Sequence, residues 1–153
     1  QLLAIAFVFA IGRVSLQLAT VLILVVVAVV EEFAKSLHIY AAHSHNTFER
    51  TSRVSVVLGV ASGVGFFLGE KIALLAQLVG LPELAVAEAG LTGGIVEGPV
   101  VLLFLLAPLA LHVVTAIISS FGAARDRWSY LAAVALAIVV HLAYNLTVVT
   151  FVA

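Results

Sequence analysis

The sequence predicts an all-α, polytopic transmembrane helical bundle. Hydrophobic residues make up 64% of its 153 residues and charged residues only 10%, whereas an ordinary soluble domain carries about 25% charged residues. Apolar runs of about 20 residues, the length needed to cross the hydrocarbon layer, recur four times between polar or Gly/Pro-rich interruptions. Several ionisable residues fall inside those runs rather than between them, which lipid tolerates only for a strong reason.

The four spans are placed at about 14–42, 54–80, 98–121 and 127–153, in a single transmembrane domain covering 1–153. A further apolar stretch, Leu2 to Ile11, stops at Gly12-Arg13 and reads as the end of a truncated N-terminal span, so the chain is expected to be a fragment of a longer protein. The first span carries Glu31, Glu32 and Lys35. In the second, Gly59, Gly63, Gly65 and Gly69 form two Gly-x-x-x-Gly pairs, a spacing that lets neighbouring backbones approach closely in lipid; helix packing is the expected role, with Gly69 keeping a site open beside Glu70 as the alternative. In the third, Pro108 removes a backbone donor and is expected to kink the helix one turn before His112. His141 and Asn145 share a face of the fourth.

The connection 43–53 holds Arg50 and Arg53, and 122–128 holds Arg125 and Arg127. The connection between them is Gly/Pro-rich, with Glu83, Glu88 and Glu97 and no basic residue. The positive-inside rule therefore puts 43–53 and 122–128 on the cytoplasmic side of a cell membrane, against a lone Arg13. Trp128 and Tyr130 are expected to anchor the interface there. The net charge of −1 argues against a nucleic acid partner, which needs a basic surface. With no cysteine, thiolate chemistry is excluded, so catalysis would rest on carboxylates, His, Ser/Thr or Lys.

An ionised group at the centre of a span costs about 2.5–3.5 kcal/mol on insertion scales, so those present are functional candidates by default. Counted from the cytoplasmic ends at 1.5 Å per residue, Glu32 lies at a depth of about 15 Å, His112 about 13 Å, His141 about 21 Å and Glu70 about 24 Å. These depths allow one shared layer. Glu31 and Lys35, four residues apart, are expected to pair along the helix, leaving Glu32 to face another partner. Structural roles account for each piece singly: a lone His can hydrogen-bond a neighbouring helix, and a Glu–Lys pair can be neutralised and inert. They account poorly for three carboxylates and two imidazoles on four successive spans.

Two imidazoles and a carboxylate are the ligand set of many catalytic zinc sites, with a further Glu as general base. The same groups could hydrolyse an amide without metal, glutamate activating water and Asn145 stabilising the oxyanion. The Asn145-Leu146-Thr147 sequon lies inside an apolar span and is discounted. His43-Ser44-His45 reads as a solvated loop rather than a metal site.

The segments Glu31-Glu32-Phe33-Ala34-Lys35, Gly63-Val64-Gly65-Phe66-Phe67-Leu68-Gly69-Glu70, Pro108-Leu109-Ala110-Leu111-His112 with Thr115, and His141-Leu142-Ala143-Tyr144-Asn145 together resemble the successive motifs of the PrsW family of intramembrane proteases. That family is related to the CAAX-processing and Abi membrane proteases. The resemblance spans about residues 31 to 145 and implies hydrolysis of a peptide bond in a membrane-anchored protein substrate. It carries Glu31, Glu32, Glu70, His112 and His141 over as active-site residues. With Asn145 added to polarise the scissile carbonyl, these are the expected catalytic residues, with Glu70, His112 and His141 as the metal set, zinc the candidate ion, or a glutamate-activated water without metal. CAAX-type relatives usually carry Arg near Lys35 and His at Glu70, which makes a CAAX endopeptidase the runner-up. A proton- or cation-coupled transporter and a non-catalytic scaffold are the rivals from other classes.

Overall fold

Helix-forming apolar runs, cut by capping residues, fix four helices in the computed structural model, which describes residues 16–79 and 98–152. They are α1 (Leu16–Ser44), α2 (Ser52–Val79), α3 (Gly98–Ala123) and α4 (Arg127–Val152). No strand occurs among the described residues. The N-terminal stretch Leu2 to Ile11 and the connection carrying Glu83, Glu88 and Glu97 lie outside them.

Each boundary has a local cause. α1 ends where Asn46 adopts a positive φ of 53°, a left-handed conformation that Asn accepts at helix C-termini. The amides of His45, Asn46 and Thr47 then close back on the carbonyls of Ala41, His43 and Ala42. Thr51 Oγ1 accepts from the amide of Val54 at the start of α2. Asp126 caps α4, its Oδ1 accepting from the amides of Trp128 (2.8 Å) and Ser129 (3.0 Å) and its Oδ2 from the Ser129 hydroxyl (2.6 Å). The Ser129 hydroxyl, with these amides, holds the Asp126 carboxyl below its ordinary value of 3.8. α3 runs through Pro108 as one continuous helix.

Among the described residues three helical segments are long and apolar enough to cross a membrane: Ser52–Ala73, Leu106–Ala123 and Arg127–Thr150. α1 is longer than any of these, but Glu31, Glu32 and Lys35 interrupt its apolar run. The composition of the helices is that of an integral membrane protein.

Packing follows the small residues. A Cβ on Gly59 would lie 2.6 Å from the Ile117 Cα, and one on Gly63 would lie 2.5 Å from the Val113 Cα and 2.6 Å from the His112 carbonyl. Only hydrogen fits at these two positions, so α2 and α3 meet backbone to backbone and antiparallel. Gly65 and Gly69 face open space, so of the two Gly-x-x-x-Gly pairs only Gly59/Gly63 is a packing face. Gly122 plays the same part between α3 and α4, where a Cβ would lie 2.5 Å from the Ser129 carbonyl. Ile39, Ala123, Tyr130 and Val134 form an apolar core where α1, α3 and α4 meet.

Tyr130 corrects one expectation. It is 3% exposed, stacks on Tyr40 with ring centroids 4.4 Å apart and shares a 3.0 Å hydrogen bond with Ser36. It is therefore a core residue, and only Trp128, 76% exposed, is free to face an interface. Arg50 ties the ends of α1 and α3 together, donating to the carbonyls of His43 and Arg125. The two basic connections thus share one end of the bundle.

Gly63→Ala is expected to cost about 1–3 kcal/mol, the usual range for overpacking a close contact. Gly65→Ala should stay within about 0.5 kcal/mol of the parent, as for substitutions touching nothing. Denaturant unfolding of the purified protein in detergent measures both.

Candidate active site

The layer near the middle of the bundle is organised by one ammonium group. Lys35 on α1 is 1% exposed, and its Nζ donates to Glu32 Oε1 at 2.5 Å and to Thr115 Oγ1 at 3.1 Å, with His112 Nδ1 at 3.0 Å. An ammonium has three protons and no acceptor. All three are used, and His112 Nδ1 must therefore accept. The His112 proton then sits on Nε2, where it donates to Glu70 Oε2 at 2.9 Å. Glu70 also receives Lys71 at 3.1 Å.

The sequence spacing suggested a Glu31–Lys35 pair. The structure instead joins Lys35 to Glu32, three residues away. Both spacings are neighbours on a helix, and the choice is made by α3, whose His112 and Thr115 draw the ammonium inward and leave Glu31 on the other side of the site.

Glu32 is fully buried. Its Oε1 accepts from His141 Nδ1 at 2.7 Å, and its Oε2 has no hydrogen-bond partner among the described residues. With Nδ1 as the donor, His141 Nε2 keeps its lone pair and points toward Glu31 Oε2, 3.6 Å away. The imidazoles of His112 and His141 lie edge to face with centroids 5.6 Å apart.

Glu31, His112 and His141 each offer a ligand atom, and these lie within 4.8 Å of one another. The trio sits in the wall of a cavity of about 360 Å³ that Glu70, Lys71, Tyr144 and Asn145 also line. Leu24, Val27, Val148 and Val149 extend its wall in apolar side chains. The cavity therefore joins a reactive polar corner to a surface suited to an apolar chain.

A family model described as PrsW family intramembrane metalloprotease matches residues 2–153. The chain belongs to this family. Searches of curated proteins and of solved structures returned no match.

In this PrsW-family chain the candidate catalytic residues Glu31, Glu32, Glu70, His112, His141 and Asn145 reach the same region, although in different positions. Glu31, Glu70, His112, His141 and Asn145 line the cavity, while Glu32 lies behind His141. The expected metal set was Glu70, His112 and His141. The three that cluster at ligand separation are Glu31, His112 and His141, while Glu70 bonds His112 Nε2 at 2.9 Å and is itself paired with Lys71.

A divalent ion fits this trio in donor type: one carboxylate and two imidazoles. His141 is already arranged as metal-ligating histidines are, with one nitrogen donating to a carboxylate and the other left free. The unpartnered Glu32 Oε2 is a further buried oxygen beside the same corner. For His112 to join through Nε2, its bond to Glu70 must open. Sequence reasoning missed Tyr144 as a lining residue. It lies three residues after His141, a spacing that keeps it on the same face of the helix.

Removing one member of a buried ion pair strands the other, at a cost of about 3–5 kcal/mol. Lys35→Met is expected to destabilise by that amount. Lys35→Met combined with Glu32→Gln should cost less than the sum of the two single changes, a coupling that a double-mutant cycle in detergent reads directly.

Proposed function

We propose that this chain is an intramembrane endopeptidase that cleaves a membrane-anchored protein substrate, with the reaction centred on Glu31, His112 and His141. The observation that carries the reading is the convergence of one carboxylate and two imidazoles within 4.8 Å at the polar corner of an apolar-walled cavity. Membership of a metalloprotease family gives the reaction class.

In this reading the substrate backbone lies along the cavity with its carbonyl toward Asn145. Glu31 accepts a proton from the attacking water, whose oxygen bonds to the carbonyl carbon. The proton passes to the departing amine nitrogen as the carbon–nitrogen bond breaks. Asn145 donates to the oxygen on which charge develops. Glu32 holds the His141 ring through Nδ1, and Lys35 holds Glu32 and the His112 ring together, so neither imidazole has to be reoriented during the reaction. In the alternative, a metal held by Glu31, His112 and His141, with zinc the candidate, would polarise the carbonyl and acidify the water, Glu31 then serving as ligand rather than base. Glu70, clamped by Lys71, stands by as the carboxylate nearest the His112 proton.

The same reading takes α1 as a fourth crossing, its charges facing inward. It places the 43–53 and 122–128 connections on the cytoplasmic side of the plasma membrane, on the bias of Arg50, Arg53, Arg125 and Arg127.

Purified protein in detergent, given membrane-anchored peptides, tests the assignment. Glu31→Gln and His112→Ala are each expected to lower kcat by about 10²–10⁴-fold, the usual contribution of a positioned acid or base. Undiminished cleavage in both would remove the site assignment. If a metal is held by the trio, chelator abolishes cleavage, and metal analysis finds about one equivalent in the parent and little in His141→Ala. Full activity in chelator would leave the glutamate-activated water as the mechanism.

A further inference from the structure

Outside the active site, the end of the bundle that carries the basic connections holds a second group of buried polar side chains. His43, Ser55, Ser119 and Ser120 are all fully buried. Neither ring nitrogen of His43 and none of the three serine hydroxyls has a hydrogen-bond partner among the described residues. The spacing had suggested that His43 lies in a solvated loop. Instead α1 continues to Ser44, the ring is buried, and Arg50 folds back onto the His43 carbonyl.

The helices bring these groups to one level. α1 and α3 run parallel, joined by Lys35 to His112 and by Arg50 to the His43 and Arg125 carbonyls. His43 lies eight residues beyond Lys35 and Ser120 eight beyond His112, about 12 Å in each case. α2 runs antiparallel to α3, with Gly59 against Ile117 and Gly63 against Val113, so Ser55, one turn before Gly59, falls at the level of Ser120. Thr115 and Ser119 are four residues apart on α3, and Thr115 already bonds Lys35. A row of buried polar groups therefore runs along the inside of the bundle from His43 to the Lys35 layer.

Leaving one buried polar group unsatisfied costs about 1–3 kcal/mol, and buried groups of this kind are ordinarily satisfied by internal water making two to four hydrogen bonds. An imidazole and three hydroxyls supply both donors and acceptors, with no carboxylate and no second imidazole to favour a cation. The catalytic cavity, by contrast, extends toward Leu24, Val27, Val148 and Val149, at the opposite end of the bundle from His43.

We propose that His43, Ser55, Ser119 and Ser120 form a water-binding chamber that supplies water to the active-site layer from the end of the bundle bearing the 43–53 connection. The water is that consumed by hydrolysis, so the supply role rests on the protease reading, while the presence of bound water does not.

Radiolytic hydroxyl-radical footprinting of the full chain in lipid nanodiscs tests it, because radicals generated from bound water label side chains that bulk solvent does not reach. Tyr130, buried and bonded to Ser36, is the dry control, and exposed His45 is the wet one. His43 is expected to be oxidised at a rate within about tenfold of His45, as befits a side chain lined by internal water. A His43 rate no greater than that of Tyr130 overturns the chamber, whatever the activity. For the supply role, Ser119→Val is expected to lower kcat severalfold at unchanged KM, because the substrate cavity is not touched, with Ser119→Thr restoring the rate. Unchanged kcat in a folded Ser119→Val protein overturns the supply role. Absence of cleavage in the parent overturns the protease reading and leaves the labelling result standing.

Discussion

The ammonium of Lys35 is the group on which the rest of the site depends. It is buried in a bundle of apolar helices, and isolation there would be costly enough to displace it. Three acceptors from two helices, Glu32 and the His112 and Thr115 side chains, make burial tolerable. A fourth contact holds the backbone behind it, the Ser62 hydroxyl of α2 donating to the Lys35 carbonyl at 2.7 Å. One residue thus joins α1, α2 and α3, and through Glu32 and His141 also α4. An ion pair buried in this way adds little net stability, but it specifies which groups face each other, and a catalytic layer requires that kind of selectivity.

The arrangement works only because α2 and α3 come unusually close. Gly59 and Gly63 let the two backbones touch, and about two turns beyond Gly63 Glu70 reaches His112. With ordinary side chains at those glycines the helices would stand apart, and the Glu70 carboxylate would lose its imidazole. The small residues therefore act on chemistry indirectly, by fixing the helix separation across which the side chains must meet. Gly69, beside Glu70, is exposed and meets nothing within 4 Å.

Much of this was legible in the sequence, and the reasons are physical. Apolar runs of spanning length predict helices because lipid leaves the backbone no other partner, and charges inside such runs stand out against their insertion cost. The helical rise put Glu32, His112, His141 and Glu70 at depths of about 13–24 Å, which allowed a shared layer without requiring one. Pairing was not legible. Glu31 and Glu32 are both within helical reach of Lys35, and the choice between them is made by His112 and Thr115, 77 and 80 residues away from Lys35. Tyr130 reads as an interfacial aromatic because Arg127 and Trp128 precede it. Its burial depends on Tyr40 and Ser36 of α1, which no local pattern reveals. His43 was misplaced for the same reason, since its burial comes from tertiary packing and the Arg50 that bonds its carbonyl follows it in a connection whose course is not periodic.

Charge balance bears on what the trio can hold. The described site gathers the carboxylates of Glu31, Glu32 and Glu70 around the ammonium groups of Lys35 and Lys71. Lys71 is committed to Glu70, and Lys35 to Glu32, which leaves Glu31 facing His141 without a fixed positive charge. In an apolar surrounding an uncompensated carboxylate is costly. A proton shared between Glu31 and His141, or a cation lodged among Glu31, His112 and His141, would balance it. The surplus negative charge is thus concentrated at the one carboxylate of the Glu31/Glu32 pair that lines the cavity, and this separates the two adjacent glutamates by role. Glu32 is neutralised and orients His141. Glu31 is left free to take a proton or a metal.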